Sequence, residues 1–337
     1  MAIVPSGAIN ALGSLLVPLG ALVLVAQLEE RELALLPSGM LLFITLAALV
    51  GLVQTTSLLF DNPFINDAPG EVSGVFANRN HFALLLAVGC LLAPVWAFLG
   101  STPGALGWRG PVAIGLVMLF TMLILISGSR AGLLLGALAS LVGLFLVFGR
   151  IRGALIGFPR WLLPLLLLLV FLSIGSLVAL SLNADRAFGI DRAFAESASD
   201  DLRVRATPTV MAMVRNYFPA GTGAGSFDPL FRLHEPFGLL QPFYLNHAHN
   251  DFLEVVLEHG LLGALLLLVA AMWWMATTVR AWRGGPGAGP LLARTASVIL
   301  LLVVMASAVD YPARTPIVMV LLVVAAAWTR IPARAGA

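Results

Sequence analysis

Long apolar runs separated by short polar breaks make up nearly the whole chain. Nine stretches are uninterrupted enough to be spans: 8–27, 39–60, 81–99, 111–127, 131–149, 161–182, 253–279, 291–309 and 315–329. A helix of about 20 apolar residues crosses the hydrocarbon core of a bilayer. The pattern therefore predicts an all-α fold, a polytopic transmembrane helical bundle of about nine spans forming a single integral membrane domain over 1–337. Only one connection is long, 183–252 between spans six and seven. It is dense in charge, with Asp185, Arg186, Asp191, Arg192, Glu196, Asp200, Asp201, Arg203, Arg205, Arg215, Asp228, Arg232 and Glu235. Short helices are expected inside it, and long connections without linker composition are usually functional.

Composition strengthens the membrane reading, since 60% of residues are hydrophobic and 11% charged, with a mean hydropathy of +0.98. Soluble domains carry about twice that share of charge. The stretch 8–27 has no basic segment before it and no small-residue cleavage site ahead of Leu28-Glu29-Glu30, so it is a retained span rather than a secretion signal. A net charge of +2 gives no reason to expect nucleic acid as a partner. The single cysteine, Cys90, lies within an apolar run. That excludes an internal disulfide and fits a packing residue.

Charge also sets sidedness. Arg150, Arg152 and Arg160 share one connection, Arg280, Arg283 and Arg294 another, and Arg330 and Arg334 the tail. These segments are expected in the cytoplasm. With nine alternating spans the inner side then holds ten arginines against three acids, and the outer side nine against fourteen. The C-terminus is cytoplasmic on this reading, the long loop faces outward, and so does the N-terminus. An outward start is awkward for so charge-poor a segment, which points to a missed span or to missing upstream helices.

Four outward-facing segments could carry chemistry. The first runs from Tyr244 through Asn246, His247, His249, Asn250 and Asp251 to Glu254, directly into span seven. Two histidines at i and i+2 point different ways if extended. Asn250, Glu254 and Glu258, at i, i+4 and i+8, are expected on one helix face. A neutral imidazole here could take a proton from a sugar hydroxyl, oriented by the carboxylates. Alternatively, His247 and Asn250 only cap the helix. A metal set of His247, His249, Glu254 and His259 is a further reading, but its spacing matches no zinc signature.

The second segment is Ser127-Gly128-Ser129-Arg130-Ala131-Gly132. An arginine so near hydrocarbon either snorkels to the interface or holds an anion, and a guanidinium fork suits phosphate. The third comprises Arg203 and Arg205 followed by Tyr217-Phe218-Pro219 and the glycine series Gly221, Gly223, Gly225. That series could cradle a phosphate or be a plain turn, and the arginines could be solvated loop charges. The fourth is Phe76-Ala77-Asn78-Arg79-Asn80-His81-Phe82, a substrate contact or a cap with an interfacial arginine.

Together these segments resemble the O-antigen ligase family, which also takes in O-antigen polymerases and related exopolysaccharide and protein-glycosylating enzymes. The family's His-Asn motif, followed by nine residues and Gly-x-x-Gly, is similar to His249-Asn250 and Gly260-Leu261-Leu262-Gly263. Its Ser-x-Ser-Arg turn looks like Ser127–Arg130. Its second arginine resembles Arg203, or Arg205, ahead of Pro219 and the glycine series. Phe76–Phe82 resembles its Asn-rich span start. Family members usually carry more than nine spans, so the resemblance implies a chain shortened at its N-terminus.

What the resemblance implies is transfer of a glycan from an undecaprenyl-pyrophosphate carrier to a hydroxyl of a glycan, lipid or protein acceptor. The setting is the periplasmic face of a bacterial inner membrane, with neither metal nor cofactor. His249 would activate the acceptor, and Arg130 with Arg203 or Arg205 would hold the pyrophosphate. His247, Asn250, Glu254, Glu258, Tyr244, Arg79 and Asn80 would support them. A polysaccharide polymerase needs the same donor clamp and remains an alternative. A solute or bicarbonate transporter would need ionisable groups at mid-span; the spans offer only Asn10, Gln54 and scattered hydroxyls. An inactive assembly component is the third possibility.

Overall fold

The computed structural model describes residues 3–56, 71–99, 107–156, 190–240 and 245–331, with Pro159, Trp161, Leu168 and Gly175 between them, and only the backbone of 190–201. Among the described residues there is helix and no strand. Seven helical stretches are long and apolar enough to cross a membrane: Pro5–Ala26, Glu30–Gln54, Arg79–Phe98, Arg109–Ile126, Arg130–Ala154, Asp251–Arg283 and Ala288–Ser307. They correspond to seven of the nine expected spans. The stretch 161–182 lies outside the described residues, and 315–329 is a shorter apolar helix, Pro316–Trp328.

In chain order the helices are α1 (Pro5–Ser14), α2 (Leu16–Ala26), α3 (Glu30–Leu33), α4 (Leu36–Gln54), α5 (Arg79–Phe98), α6 (Arg109–Ile126) and α7 (Arg130–Ala154). There follow α8 (Ile190–Tyr217), α9 (Phe227–His234), α10 (Asp251–Arg283), α11 (Ala288–Ser307) and α12 (Pro316–Trp328). Pro18 separates α1 from α2: it has no N–H for Ser14 O, so the helix closes at Leu15. The long connection is helical, as expected, but α8 runs to 28 residues and only α9 is short.

The chain divides into two compact units, one bounded by Met1–Gln27, Asp185–Val279 and Val303–Val324, the other by Leu28–Ala184, Arg280–Leu302 and Ala325–Ala337. In the second unit α5 is the central helix, packed by α4, α6 and α7. Its sequence is apolar on every side, and Phe82 through Val95 are buried without interruption. Glycines set how closely the neighbours approach: a Cβ at Gly89 would lie 2.6 Å from the Phe120 ring, and one at Gly143 would lie 3.1 Å from Leu91 O. Close approach of this kind drives helix association in lipid, where transfer of apolar surface contributes little.

The few polar groups of this bundle are spent locally. Gln54, one of two polar side chains expected at mid-span, accepts from Ser73 N and Gly74 N at 3.1 and 2.8 Å and donates to Gly74 O at 3.1 Å. It closes a turn. Cys90 is buried, with Sγ 3.8 Å from Thr121 Oγ1, as a packing residue should be. Arg150 donates to Gly287 O, which brings the arginine-bearing end of α7 to the turn between α10 and α11.

The first unit has its own core outside the long spans. Ala206, Val210 and Met213 form one stripe of α8 and pack with Phe227, Leu230 and Phe231 of α9 and with Leu257 of α10. This core fixes where α10 begins.

Candidate functional site

Helix α10 starts with a built cap. Asn250 Oδ1 accepts from Leu253 N at 3.0 Å, and its amide donates to Ala308 O at 2.9 Å, beyond the end of α11. The capping reading therefore holds for Asn250. It does not hold for His247, whose ring bonds to Glu254. The residue between, His249, has φ 48°, a left-handed conformation costing a non-glycine residue about 1 kcal/mol. Contacts on either side hold it there.

Nine residues into α10 the helix breaks. Gly260 has φ 57° and ψ −137°, so Asp251–His259 is a separate helix ahead of the apolar stretch from Leu261. A break orphans carbonyls before it and N–H groups after it. The glycine series satisfies them: Thr222 N donates to Leu257 O at 3.0 Å, Gly223 N to Glu258 O at 2.8 Å, and Leu261 N to Pro219 O at 2.8 Å. Gly221 N is bonded to Tyr217 O. Those amides serve as a buttress, and the phosphate-cradle reading gives way to the turn. A Cβ at Gly260 would overlap Pro219 O, and one at Gly263 would lie 2.6 Å from Val255 O. Both glycines of the Gly-x-x-Gly motif are thus demanded by backbone contact.

The short helix presents three carboxylates at i, i+3 and i+7, Asp251, Glu254 and Glu258, all buried. Asn250 does not share their face as expected, because it is the cap and its side chain turns back onto the backbone. The three converge on Arg314, whose Nη2 lies 3.3 Å from Glu254 Oε1 and 3.2 Å from Glu258 Oε2, with Nε 3.6 Å from Asp251 Oδ1. Burial works against the arginine's charge, but Glu254, Glu258 and Asp251 outweigh it and hold the guanidinium more firmly charged than usual. Asp251 Oδ2 also accepts from Ser307 Oγ at 2.8 Å and Ala313 N at 3.1 Å. Ser226 N donates to Glu258 Oε1 at 3.1 Å.

Each histidine has its own carboxylate. His247 Nδ1 is 2.8 Å from Glu254 Oε1, and the other oxygen of Glu254 accepts from Ala248 N at 2.7 Å. His249 Nδ1 is 3.1 Å from Asp310 Oδ1, which also accepts from Tyr311 N. Facing a carboxylate, Nδ1 is the nitrogen that carries a proton, so that in the neutral form of the ring Nε2 holds the lone pair. The Tyr311 ring lies between them, 4.2 Å from the His247 ring and 5.0 Å from the His249 ring. Such a pairing equips His249 to accept a proton from a hydroxyl.

Asp310, Tyr311 and Arg314 were not among the expected site residues. The signal was present: an aspartate, a tyrosine and an arginine within five residues separating two apolar runs. The metal set is not assembled, since His259 Nδ1 turns to Val255 O of its own helix, and among the described residues no group of three or more ligands could hold a metal.

In the other unit, α5 and α7 begin side by side. Ser129 caps α7 by accepting from Gly132 N at 3.0 Å and donates to Asn80 Oδ1 at 2.7 Å, while Asn78 caps α5. Gly128 has φ 68°, and a Cβ there would sit 3.5 Å from Arg79 Nη1. Arg79 is 3.8 Å from Glu71. Arg130 opens α7 from this turn, so Arg79, Asn80 and Arg130 share one polar corner. In the first unit Arg203 and Arg205 lie on α8, where Arg205 Nη2 donates to Gly238 O at 2.7 Å. Tyr244 lies outside the described residues.

No curated protein matches the chain. The sequence model of one family, described as O-Antigen ligase, matches residues 113–268, a segment that includes Arg130, Arg203, Arg205, His247, His249 and both glycines of the Gly-x-x-Gly motif. The resemblance read from the motifs is thereby borne out over residues 113–268, where this multi-pass helical chain is similar to the O-antigen ligase family.

Proposed function

We propose that the protein transfers a glycan from an undecaprenyl-pyrophosphate donor to a hydroxyl acceptor, as a ligase, at the periplasmic face of a bacterial inner membrane. The observation that carries this is the pairing of His249 Nδ1 with buried Asp310. An imidazole held in that tautomer is a general base at neutral pH. His249 Nε2 takes the acceptor's hydroxyl proton, the oxygen attacks the anomeric carbon, and the bond from that carbon to the pyrophosphate oxygen breaks with its electron pair leaving on undecaprenyl pyrophosphate. The donor is already activated, so the step needs neither a nucleotide sugar nor a metal.

Charge develops on the pyrophosphate as that bond breaks, and guanidinium groups stabilise it. The family resemblance assigns this role to Arg130 and Arg203, and within its own unit Arg130 has Arg79 and Asn80 beside it at one corner. Arg205 already spends one donor on Gly238 O, but a guanidinium has five, so it keeps donors for a phosphate. The face follows from the arginine distribution, which leaves Arg130, the long loop and Asp310 on the side opposite Arg150 and Arg294.

The test is complementation of a deletion strain. His249→Ala and Arg130→Ala should each abolish glycan transfer while expression and membrane insertion stay normal. Normal surface polysaccharide from either variant refutes the reading. Accumulation of unattached polymer in the deletion strain marks a ligase, whereas single repeat units mark a polymerase.

A further inference from the structure

Arg314 has no part in the reaction as proposed, yet it is paired with three buried carboxylates. We infer that Arg314 is a positioning residue that fixes both histidines through Glu254. The inference rests on the proposed role of His249 and extends it to a residue beyond the matched segment 113–268.

The connection can be followed atom by atom. Arg314 Nη2 bridges Glu254 Oε1 and Glu258 Oε2, at 3.3 and 3.2 Å. Glu254 is fully buried, and burying a carboxylate without a cation and hydrogen-bond donors around it is costly. Held there, its two oxygens grip both ends of the segment that matters. Oε1 receives the His247 ring at 2.8 Å, and Oε2 receives the N–H of Ala248 at 2.7 Å. Ala248 immediately precedes His249, the only described non-glycine residue with positive φ. A peptide pinned on one side of that residue and Asp310 on the other define the direction of its ring.

Three features argue for positioning rather than for donor binding. The guanidinium faces three carboxylates, which an anionic pyrophosphate would have to displace. Three-quarters of its side chain is covered. It also sits three residues after Tyr311, whose N–H donates to the Asp310 carboxylate, so one short turn carries the orienting groups for His247 and His249 together. Tyr311, between the two rings, makes their directions interdependent.

The experiment measures kcat and KM for release of undecaprenyl pyrophosphate by the full-length protein in detergent, using lipid-linked glycan extracted from the deletion strain. Arg314→Gln, Arg314→Lys and Glu254→Gln are compared, with His249→Gln as control, and folding is checked by size exclusion and thermal unfolding. Arg314→Gln and Glu254→Gln should each lower kcat by about 100-fold, the cost of a misplaced catalytic group, with donor KM unchanged. Arg314→Lys should recover about tenfold of that, since it restores charge without the fork. Glu254→Gln preserves shape and leaves Arg314 its two other carboxylates, so it decides the matter if Arg314→Gln does not fold. Full kcat in folded Arg314→Gln or Glu254→Gln overturns the inference, as does a tenfold rise in KM at constant kcat, the signature of donor contact. If those variants are active while His249→Gln is dead, only the positioning role fails; if His249→Gln is itself active, the proposed base fails with it.

Discussion

The middle of α5 is buried on every side and the first turns of α10 on one face, and the two are built in opposite ways. Around α5 the contacts are apolar, with Phe120 and Ile44 against Gly89 and with Gly143 of α7 against Leu91 and Pro94, and fit is decided by where a glycine permits approach. Around the start of α10 one face buries four carboxylates, Asp251, Glu254, Glu258 and Asp310, against Arg314 and two imidazoles. Apolar packing is the sum of many weak contacts and tolerates exchange of one hydrophobic residue for another. A buried ionic network tolerates little, because each member removed strands its partners in low dielectric. Evolution can redraw the first kind of region freely, whereas the second is confined to places where it is needed.

That contrast can be tested at its sharpest point by Asp310→Asn. The carboxamide keeps the shape but can present an N–H to His249 Nδ1, which favours the wrong tautomer. Turnover should fall by about 10² to 10³-fold, with the unfolding midpoint within a few degrees of wild type. Retained turnover would mean that the His249–Asp310 contact is structural.

Gly260→Ala comes next and strikes the junction between the two kinds of packing. Positive φ and overlap with Pro219 O together should cost about 3 kcal/mol, read as a lower thermal midpoint and new protease cleavage around Pro219–Gly223. An unchanged midpoint would show that the helix break is dispensable. The smallest effect is expected within the apolar bundle itself. Gln54→Leu strands Ser73 N–H and the Gly74 amide, so a loss of about 1–2 kcal/mol should appear in unfolding with turnover unchanged. Altered solute permeation of vesicles carrying this variant would instead restore Gln54 as a pathway residue.

Seven of the expected spans were readable from the sequence because a transmembrane helix is specified locally: its backbone satisfies itself, and about 20 consecutive apolar residues suffice. The same holds for the cap at Asn250 and for the motif glycines, whose spacing announces them before their contacts are known. What could not be read is which carboxylate serves which histidine. Glu254 was expected near the histidines, but Asp310 lies 61 residues from His249. Asp251 was passed over in favour of Asn250, since helical spacing shows which residues could share a face but not where the helix starts. The glycine series left a phosphate cradle and a plain turn both open until the amides of Thr222 and Gly223 were found on the carbonyls at the broken end of α10. The sequence by itself determined the membrane solvent, most of the helices and the family motifs, because each is a property of consecutive residues. Only the tertiary structure decided the Asp310–His249 and Glu254–His247 pairs and the seat of Arg314, because a hydrogen bond between distant side chains depends on how helices pack and leaves no periodic trace in the chain.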